Sequence, residues 1–197
     1  DSFSDLFYAN DSSITLTIEG KRKLISDCIF ALDIDPEAVE VARMSLSLKV
    51  IDNIEFYESY QELGIYGTQI LSNVGNNVKC GNTLVSFDIT ERFPNINQNE
   101  TQLLKTNPFD WISEAGFAEV FNEKNGFDYI VGNPPYVEVK NYNEEYPFMH
   151  QYIKDIFHTT KNGKVDLSVA FIERGIELLN ETGKLGFIVQ KRFFKTD

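Results

Sequence analysis

The residues Phe127-Asp128-Tyr129-Ile130-Val131 form an apolar run that stops at Gly132-Asn133-Pro134-Pro135-Tyr136, and this stop constrains the chain more than any other feature. Neither proline can donate a backbone hydrogen bond and each fixes φ, so no strand ladder continues through them. The run is therefore expected to be a buried strand that ends at Gly132 and presents a stiff turn with free carbonyls. In open α/β sheets the carboxyl ends of strands are where ligands bind. Elsewhere helix-like and strand-like segments alternate. That order predicts an α/β fold on a mainly parallel sheet with helices on both faces.

Along the chain, Asp1 to Ser13 reads as a polar loop. A short helix is expected from about Thr17 to Ser26, followed by an apolar strand from Cys28 to Ile34. Asp35-Pro36 has the form of a helix cap with proline in the first turn. The helix it opens carries Ala38, Val41, Ala42 and Leu48 on one face. Residues 51 to 76 are mixed, with a helix and a Gly/Asn-rich turn. Val78 to Cys80 reads as a strand end closed by Gly81-Asn82, and Thr90 to Thr106 as a polar, Asn- and Gln-rich connection. Phe148, Met149, Tyr152, Ile153, Ile156 and Phe157 mark an amphipathic helix. Val165 to Leu179 is apolar nearly all round, which predicts a well-buried helix stopped by Gly183, and Leu185 to Val189 is the last strand. No repeat and no second domain is visible.

The balance of 18 basic against 30 acidic residues, a net charge of −12, argues against a large nucleic-acid surface on these residues. Positive charge gathers only at Lys21-Arg22-Lys23 and at Lys191, Arg192 and Lys195. No apolar run approaches the length that crosses a bilayer, and no signal-peptide pattern opens the chain. Cys28 and Cys80 are the only cysteines, which points to a reducing cytoplasm. His150 and His158 read as surface residues on the polar side of the amphipathic helix. Neither has metal-ligand spacing or a cysteine partner, so no metal is expected.

The corner at 133–136 suits one task, the methylation of an exocyclic amino group. Asn133 adds a side-chain carbonyl to the free backbone carbonyls of Pro134 and Pro135, and Tyr136 adds a flat aromatic face. The amino nitrogen of adenine is a poor nucleophile because its lone pair is delocalised into the ring. Two acceptors that hold its hydrogens favour the pyramidal geometry in which the lone pair can attack a sulfonium methyl. The same dipoles stabilise the positive charge that develops on nitrogen. No strong base is needed, because the proton becomes acidic once the methyl has arrived. The ring stacks on a base taken out of the duplex. The bland alternative, a surface di-proline turn, lacks a reason for the strand that leads into it.

From about Leu16 to the last residue the chain resembles the γ-class N6-adenine DNA methyltransferases, in particular the Type IIG restriction–modification enzymes. The resemblance rests on Ile29 to Val39, on Pro108-Phe109-Asp110-Trp111, on Asn133-Pro134-Pro135-Tyr136 and on Asp166 to Gln190, in that order. It implies a Rossmann-like methyltransferase fold, S-adenosyl-L-methionine as cofactor and double-stranded DNA as substrate. It also implies a restriction nuclease domain or subunit as partner. It places the cofactor's ribose hydroxyls on Asp33, its adenine against Ile34, and an adenine contact on Asn82, where the family often has Asp. The family's glycine-rich loop after its first strand has no counterpart, because no Gly-x-Gly occurs in the chain. Residues 1–197 are accordingly expected to be a partial catalytic domain that lacks the first strand at one end and target recognition at the other.

Three rivals bear on the same residues. Asp128 followed by Glu138-Val139-Lys140 mimics a magnesium-nuclease spacing, but Pro134-Pro135 would break the hairpin that should carry it. Similar Asn-Pro-Pro-Tyr sites methylate glutamine side chains or RNA bases. An inactive DNA-binding or assembly module would follow if the whole protein lacked the glycine loop.

Overall fold

A computed structural model describes residues 6–10, 13–52, 75–138, 143, 146–161 and 166–190. They divide into two units, Asp1–Cys80 and Gly81–Asp197.

In the first unit, β1 (Phe7–Asn10) and β2 (Ser13–Leu16) pair antiparallel, with Phe7 opposite Leu16. Within the stretch from Asp1 to Ser13 expected as a loop, this corrects the described residues Phe7–Asn10 and Ser13. Strand pairing is a non-local interaction, and four-residue strands leave too little alternation to be recognised one at a time. The Thr17 hydroxyl accepts from Gly20 N–H at 3.0 Å and caps α1 (Ile18–Cys28), close to the expected helix. Because α1 runs to Cys28, the next strand, β3, is shortened to Ala31–Asp33. The Asp35 carboxylate accepts from Glu37 N–H at 2.9 Å and Pro36 opens α2 (Pro36–Ile51), as the Asp-Pro pair predicts. β4 (Val78–Cys80) pairs parallel to β3, with Asp33 opposite Cys80. Arg43 ties α2 to this pair by donating to the Val78 carbonyl from Nε at 3.0 Å and from Nη2 at 2.7 Å.

The apolar face of α2 differs from expectation. Val39 and Val50 are buried, whereas Val41, Met44 and Leu48 are exposed. The helix carries two apolar stripes, and periodicity alone does not decide which one is covered. The basic triplet of α1 is spent locally: Lys21 donates to the Asp52 carbonyl, while Arg22 pairs with Glu19 at 2.6 Å and Lys23 with Asp27 at 2.9 Å. The helix expected within 51–76 lies mostly outside the described residues, as do Lys191, Arg192 and Lys195.

In the second unit, the stretch read as a polar connection is helical. It forms α3 (Ile89–Arg92), a 3-10 turn (Pro94–Gln98) and α4 (Glu100–Thr106). Ile89 and Ile96 are its fully buried anchors. Asn99 caps α4 by accepting from Gln102 N–H at 3.1 Å, so an asparagine that looked like a loop signal starts a helix. After α5 (Ala118–Lys124), Asn125 and Gly126 take φ values of 55° and 130° and turn the chain into β5 (Phe127–Gly132). Then follow α6 (Pro147–Ile156), a 3-10 turn (His158–Thr160), α7 (Leu167–Leu178) and β6 (Leu179–Phe187). His158 thus sits beyond α6, not on it.

β6 pairs parallel to β5, with Ile130 opposite Leu185 and Gly132 opposite Phe187. It begins earlier than expected, directly after α7. Gly183 lies within it and does not stop the helix. A Cβ at Gly183 would stand 2.8 Å from the Phe127 carbonyl oxygen, so close backbone approach explains this glycine. β5 is covered on one face only, since Tyr129 and Val131 are 72% and 83% exposed. α7 likewise leaves Ile176 exposed and is not apolar all round. Leu84, Val85, Ile89, Ile96, Met149, Tyr152, Ile153, Phe157, Leu167 and Ala170 form the core of this unit. Full burial of each large apolar side chain stabilises by about 1.5–3 kcal/mol. The four deepest positions contributed by α6 and its end, Met149, Tyr152, Ile153 and Phe157, fall where the amphipathic pattern put them.

The α/β class with parallel strands is therefore what the chain adopts. Among the described residues no helix is long and apolar enough to cross a membrane, and no group of His, Cys, Asp and Glu is arranged to hold a metal ion.

Candidate active site

β5 is seated at its start by an aromatic cluster. Phe127 packs edge-on against Trp111, Phe117 and Phe121, with ring centroids 6.0, 6.2 and 5.6 Å away. Phe109 and Trp111, also edge-on at 5.5 Å, extend the cluster toward the segment after β4. There Trp111 Nε1 donates to the Thr83 carbonyl at 3.2 Å and Phe109 N–H to the Val85 carbonyl at 2.9 Å. Rings in these geometries attract beyond the area they bury, which fixes where the strand begins and so where it ends.

At the other end, a Cβ on Gly132 would stand 2.9 Å from the Phe187 ring, so a side chain there would make that ring shift. The ladder makes one further bond, from Ile188 N–H to the Gly132 carbonyl at 3.0 Å, before the prolines end it. Pro134 is buried, while Asn133 and Pro135 are exposed. The Tyr136 hydroxyl lies 3.1 Å from Asn133 Oδ1 and 3.0 Å from the Ile188 carbonyl oxygen. A hydroxyl has one hydrogen and so satisfies one of the two acceptors at a time. A donor with two hydrogens, such as an amino group, matches such a pair better. The chain leaving the corner is pinned by Leu167 N–H to the Val137 carbonyl at 2.8 Å. Glu138 faces Asp166 in an antiparallel bridge, and Asp166 caps α7 by accepting from Ser168 N–H at 3.0 Å.

Asn82 behaves differently. It is 6% exposed. Its Oδ1 accepts from Leu84 N–H at 3.0 Å, and its Nδ2 donates to the Thr106 carbonyl at 3.0 Å and to Met149 Sδ at 3.2 Å. These bonds hold the turn that leaves β4. The carbonyl oxygen keeps one lone pair beyond the bond to Leu84.

Asp33 and Ile34 belong to the first unit. Asp33 is exposed at the end of β3, and its Oδ1 accepts from Asp35 N–H at 2.9 Å. A carboxylate has acceptor capacity well beyond that single bond, enough for a vicinal diol. Ile34 is 50% exposed and offers apolar surface beside it. Both suit a nucleoside: a diol on the carboxylate and a flat ring on the isoleucine.

Of the nuclease spacing, Asp128 and Glu138 lie among the described residues. Asp128 accepts from Asn180 Nδ2 at 2.7 Å and pairs with Lys124 at 3.4 Å, and these two hold its carboxyl below the usual range. Val139, Lys140 and the Glu144-Glu145 pair lie outside the described residues. Two sets of contacts escaped the reading of the sequence. Ile188 meets the corner through its backbone, which no side-chain signal announces. Tyr152, expected only as a core residue, carries a hydroxyl that bonds Asp88 and the Ser86 N–H.

Residues 27–197 match the family described as Eco57I restriction-modification methylase. The chain is 29% identical over 194 residues to the type II restriction enzyme and methyltransferase RM.Eco57I of Escherichia coli, covering 98% of this chain and 17% of that protein. It is 41% identical over 88 residues to the type II methyltransferase M.BstVI of Geobacillus stearothermophilus, covering 43% of this chain and 15% of that protein. It is 34% identical over 85 residues to the type II methyltransferase M.PaeR7I of Pseudomonas aeruginosa, covering 43% of this chain and 14% of that protein. The chain thus spans less than a fifth of the length of each of these relatives. No solved structure matches it.

Proposed function

Since the chain belongs to the Eco57I restriction-modification methylase family, we propose that it carries catalytic residues of a site-specific DNA adenine-N6 methyltransferase. The observation that carries this reading is the pair of carbonyl oxygens, Asn133 Oδ1 and Ile188 O, that face one point at the tip of β5 beside the Tyr136 ring.

In this reading the Tyr136 hydroxyl gives up its place to the amino group of a flipped adenine. Asn133 Oδ1 accepts one amino hydrogen, and the Ile188 carbonyl beside the corner accepts the other. Pro134 and Pro135 keep that corner from yielding when the base enters. Held this way, the nitrogen is drawn toward the pyramidal form, and the carbonyl dipoles stabilise its growing positive charge. The Tyr136 ring stacks on the base. S-adenosyl-L-methionine, when bound, supplies the electrophilic methyl group. Asp33 would accept from its ribose hydroxyls, and Ile34 and Asn82 would contact its adenine.

The net charge of −12 assigns most of the grip on double-stranded DNA to other parts of the protein. The relative from Escherichia coli is named as both a restriction enzyme and a methyltransferase. A nuclease domain or subunit acting with this core, in the cytoplasm, belongs to the same proposal.

The test offers the full-length protein labelled S-adenosylmethionine together with DNA, RNA and a protein substrate in parallel. Label on the N6 of adenine in DNA is the expected result. Label on RNA or on glutamine, with none on DNA, overturns the reading.

A further inference from the structure

One face of α6 holds both ends of the turn that follows β4. At the start of the turn, Met149 Sδ accepts from Asn82 Nδ2 at 3.2 Å. One helical turn on, the Tyr152 hydroxyl donates to Asp88 Oδ1 at 2.5 Å and accepts from Ser86 N–H at 3.3 Å. Tyr152 is 2% exposed and its ring lies in the core with Leu84 and Val85, which belong to the same turn. Asp88 is fixed from its other side by Arg92 at 2.7 Å. Burial pushes the Asp88 carboxyl up, but the hydrogen bonds from Arg92 and Tyr152 outweigh it and hold the group below its usual range as an ionised acceptor. Burial and the bond to Asp88 push the Tyr152 hydroxyl up to about 12, so it remains a donor.

A core tyrosine needs only one partner to be accommodated. This one bonds two residues that flank Phe87, while its neighbour on the helix bonds the residue at the turn's beginning. We infer that Tyr152, acting with Met149, is a positioning residue that sets the conformation of the Asn82–Asp88 turn for cofactor binding. The inference rests on the reading of Asn82 as a cofactor-side residue. It adds that α6, which follows the Asn-Pro-Pro-Tyr corner in the chain, governs the geometry of that side.

The experiment uses the full-length protein and S-adenosylmethionine as the probe. Tyr152→Phe keeps the ring and its packing and removes the hydroxyl. A hydrogen bond to a charged acceptor is worth enough that its loss should raise the cofactor Kd in calorimetry about tenfold. At saturating cofactor, kcat should stay within about twofold, because the Asn133 corner is untouched. Without cofactor, amide exchange should quicken across Leu84–Asp88 and hold steady in β5. Asp88→Asn keeps an acceptor for the hydroxyl and should restore most of the affinity relative to Asp88→Ala. Met149→Leu, which keeps volume and loses the sulfur acceptor, should move Kd by a smaller factor in the same direction. A Tyr152→Phe protein that melts lower but binds the cofactor as tightly as the wild type overturns the inference alone. A wild-type protein that takes up no S-adenosylmethionine overturns the methyltransferase reading, and this inference with it.

Discussion

Asn82 follows β4 and Asn133 follows β5, and the same side chain does opposite work in the two places. Asn82 is buried, with its carbonyl given to a backbone N–H and its amide nitrogen to a carbonyl and a sulfur. Asn133 is exposed, and its carbonyl faces a tyrosine hydroxyl that has another acceptor to turn to. A buried polar group must be satisfied permanently, because an unpaired one costs about 1–3 kcal/mol. An exposed acceptor with a replaceable partner can exchange that partner for a substrate. Residue type therefore says little about role; the permanence of the partners says much more.

Substituting each asparagine in the full-length protein separates the two roles. Asn133→Ala should lower kcat by about 100- to 1000-fold, the range for losing one donor or acceptor at a developing charge. It should leave the melting midpoint and the cofactor Kd nearly unchanged. Asn82→Ala should do the reverse, costing about 2–4 kcal/mol of stability as Leu84 N–H and the Thr106 carbonyl lose their partner. Chemical denaturation reads that loss. If Asn82→Ala melts like the wild type while Asn133→Ala melts lower, the division of labour drawn above is wrong.

Tyr136, like Asn133, is exposed. Tyr136→Ala should weaken capture of the target base by about 1–3 kcal/mol, as expected when a stacking ring is lost. Tyr136→Phe should be milder, because the face is kept and the acceptors at Asn133 and Ile188 are left free. Fluorescence of a 2-aminopurine at the target position follows base capture, and equal damage from both variants would move the role from ring to hydroxyl.

The smallest effect concerns a carboxylate that works as Asn82 does. Glu173 accepts from His158 N–H, Thr159 N–H and the Thr159 hydroxyl. Burial raises its carboxyl, but these hydrogen bonds outweigh that and hold it below the usual 4.5. A carboxyl lowered in the folded state stabilises above its unfolded value, and that contribution fades as pH falls through the folded value. Glu173→Ala should therefore lower the melting midpoint by about 2 °C near pH 7, and by less near pH 3. A pH-independent difference would show that packing, not charge, is what the residue provides.

Local signals were legible where a local cause acts. The cap at Asp35, the stop at Gly132 and the buried face of α6 all follow from neighbouring residues, and the structure has them. What escaped depends on distant partners. The β1–β2 pair needs a second strand to exist, and the helices at 89–106 look polar because the side chains they turn inward, Ile89, Phe93, Ile96 and Leu103, are spread among polar ones. The exposed stripe of α2 and the covered one are equally apolar in the sequence. Asn133 and Tyr136 stood out in the sequence as candidates because prolines make their setting unusual, and the structure brings the two side chains together. The backbone carbonyl of Ile188 and the hydroxyl of Tyr152 gain their partners from residues more than fifty positions away.

The irregular start of β6 has a bearing on how chains of this kind can vary. Phe127 faces Leu179, yet Tyr129 faces Lys184, so Asn180 to Gly183 form an excursion before the strands fall into step beside Ile130 and Gly132. That excursion is slack in the thread. Residues gained or lost there would change the size of a surface kink, whereas the same change after Lys184 would move Ile188 out of phase with Gly132 and pull apart the two oxygens at the strand tip.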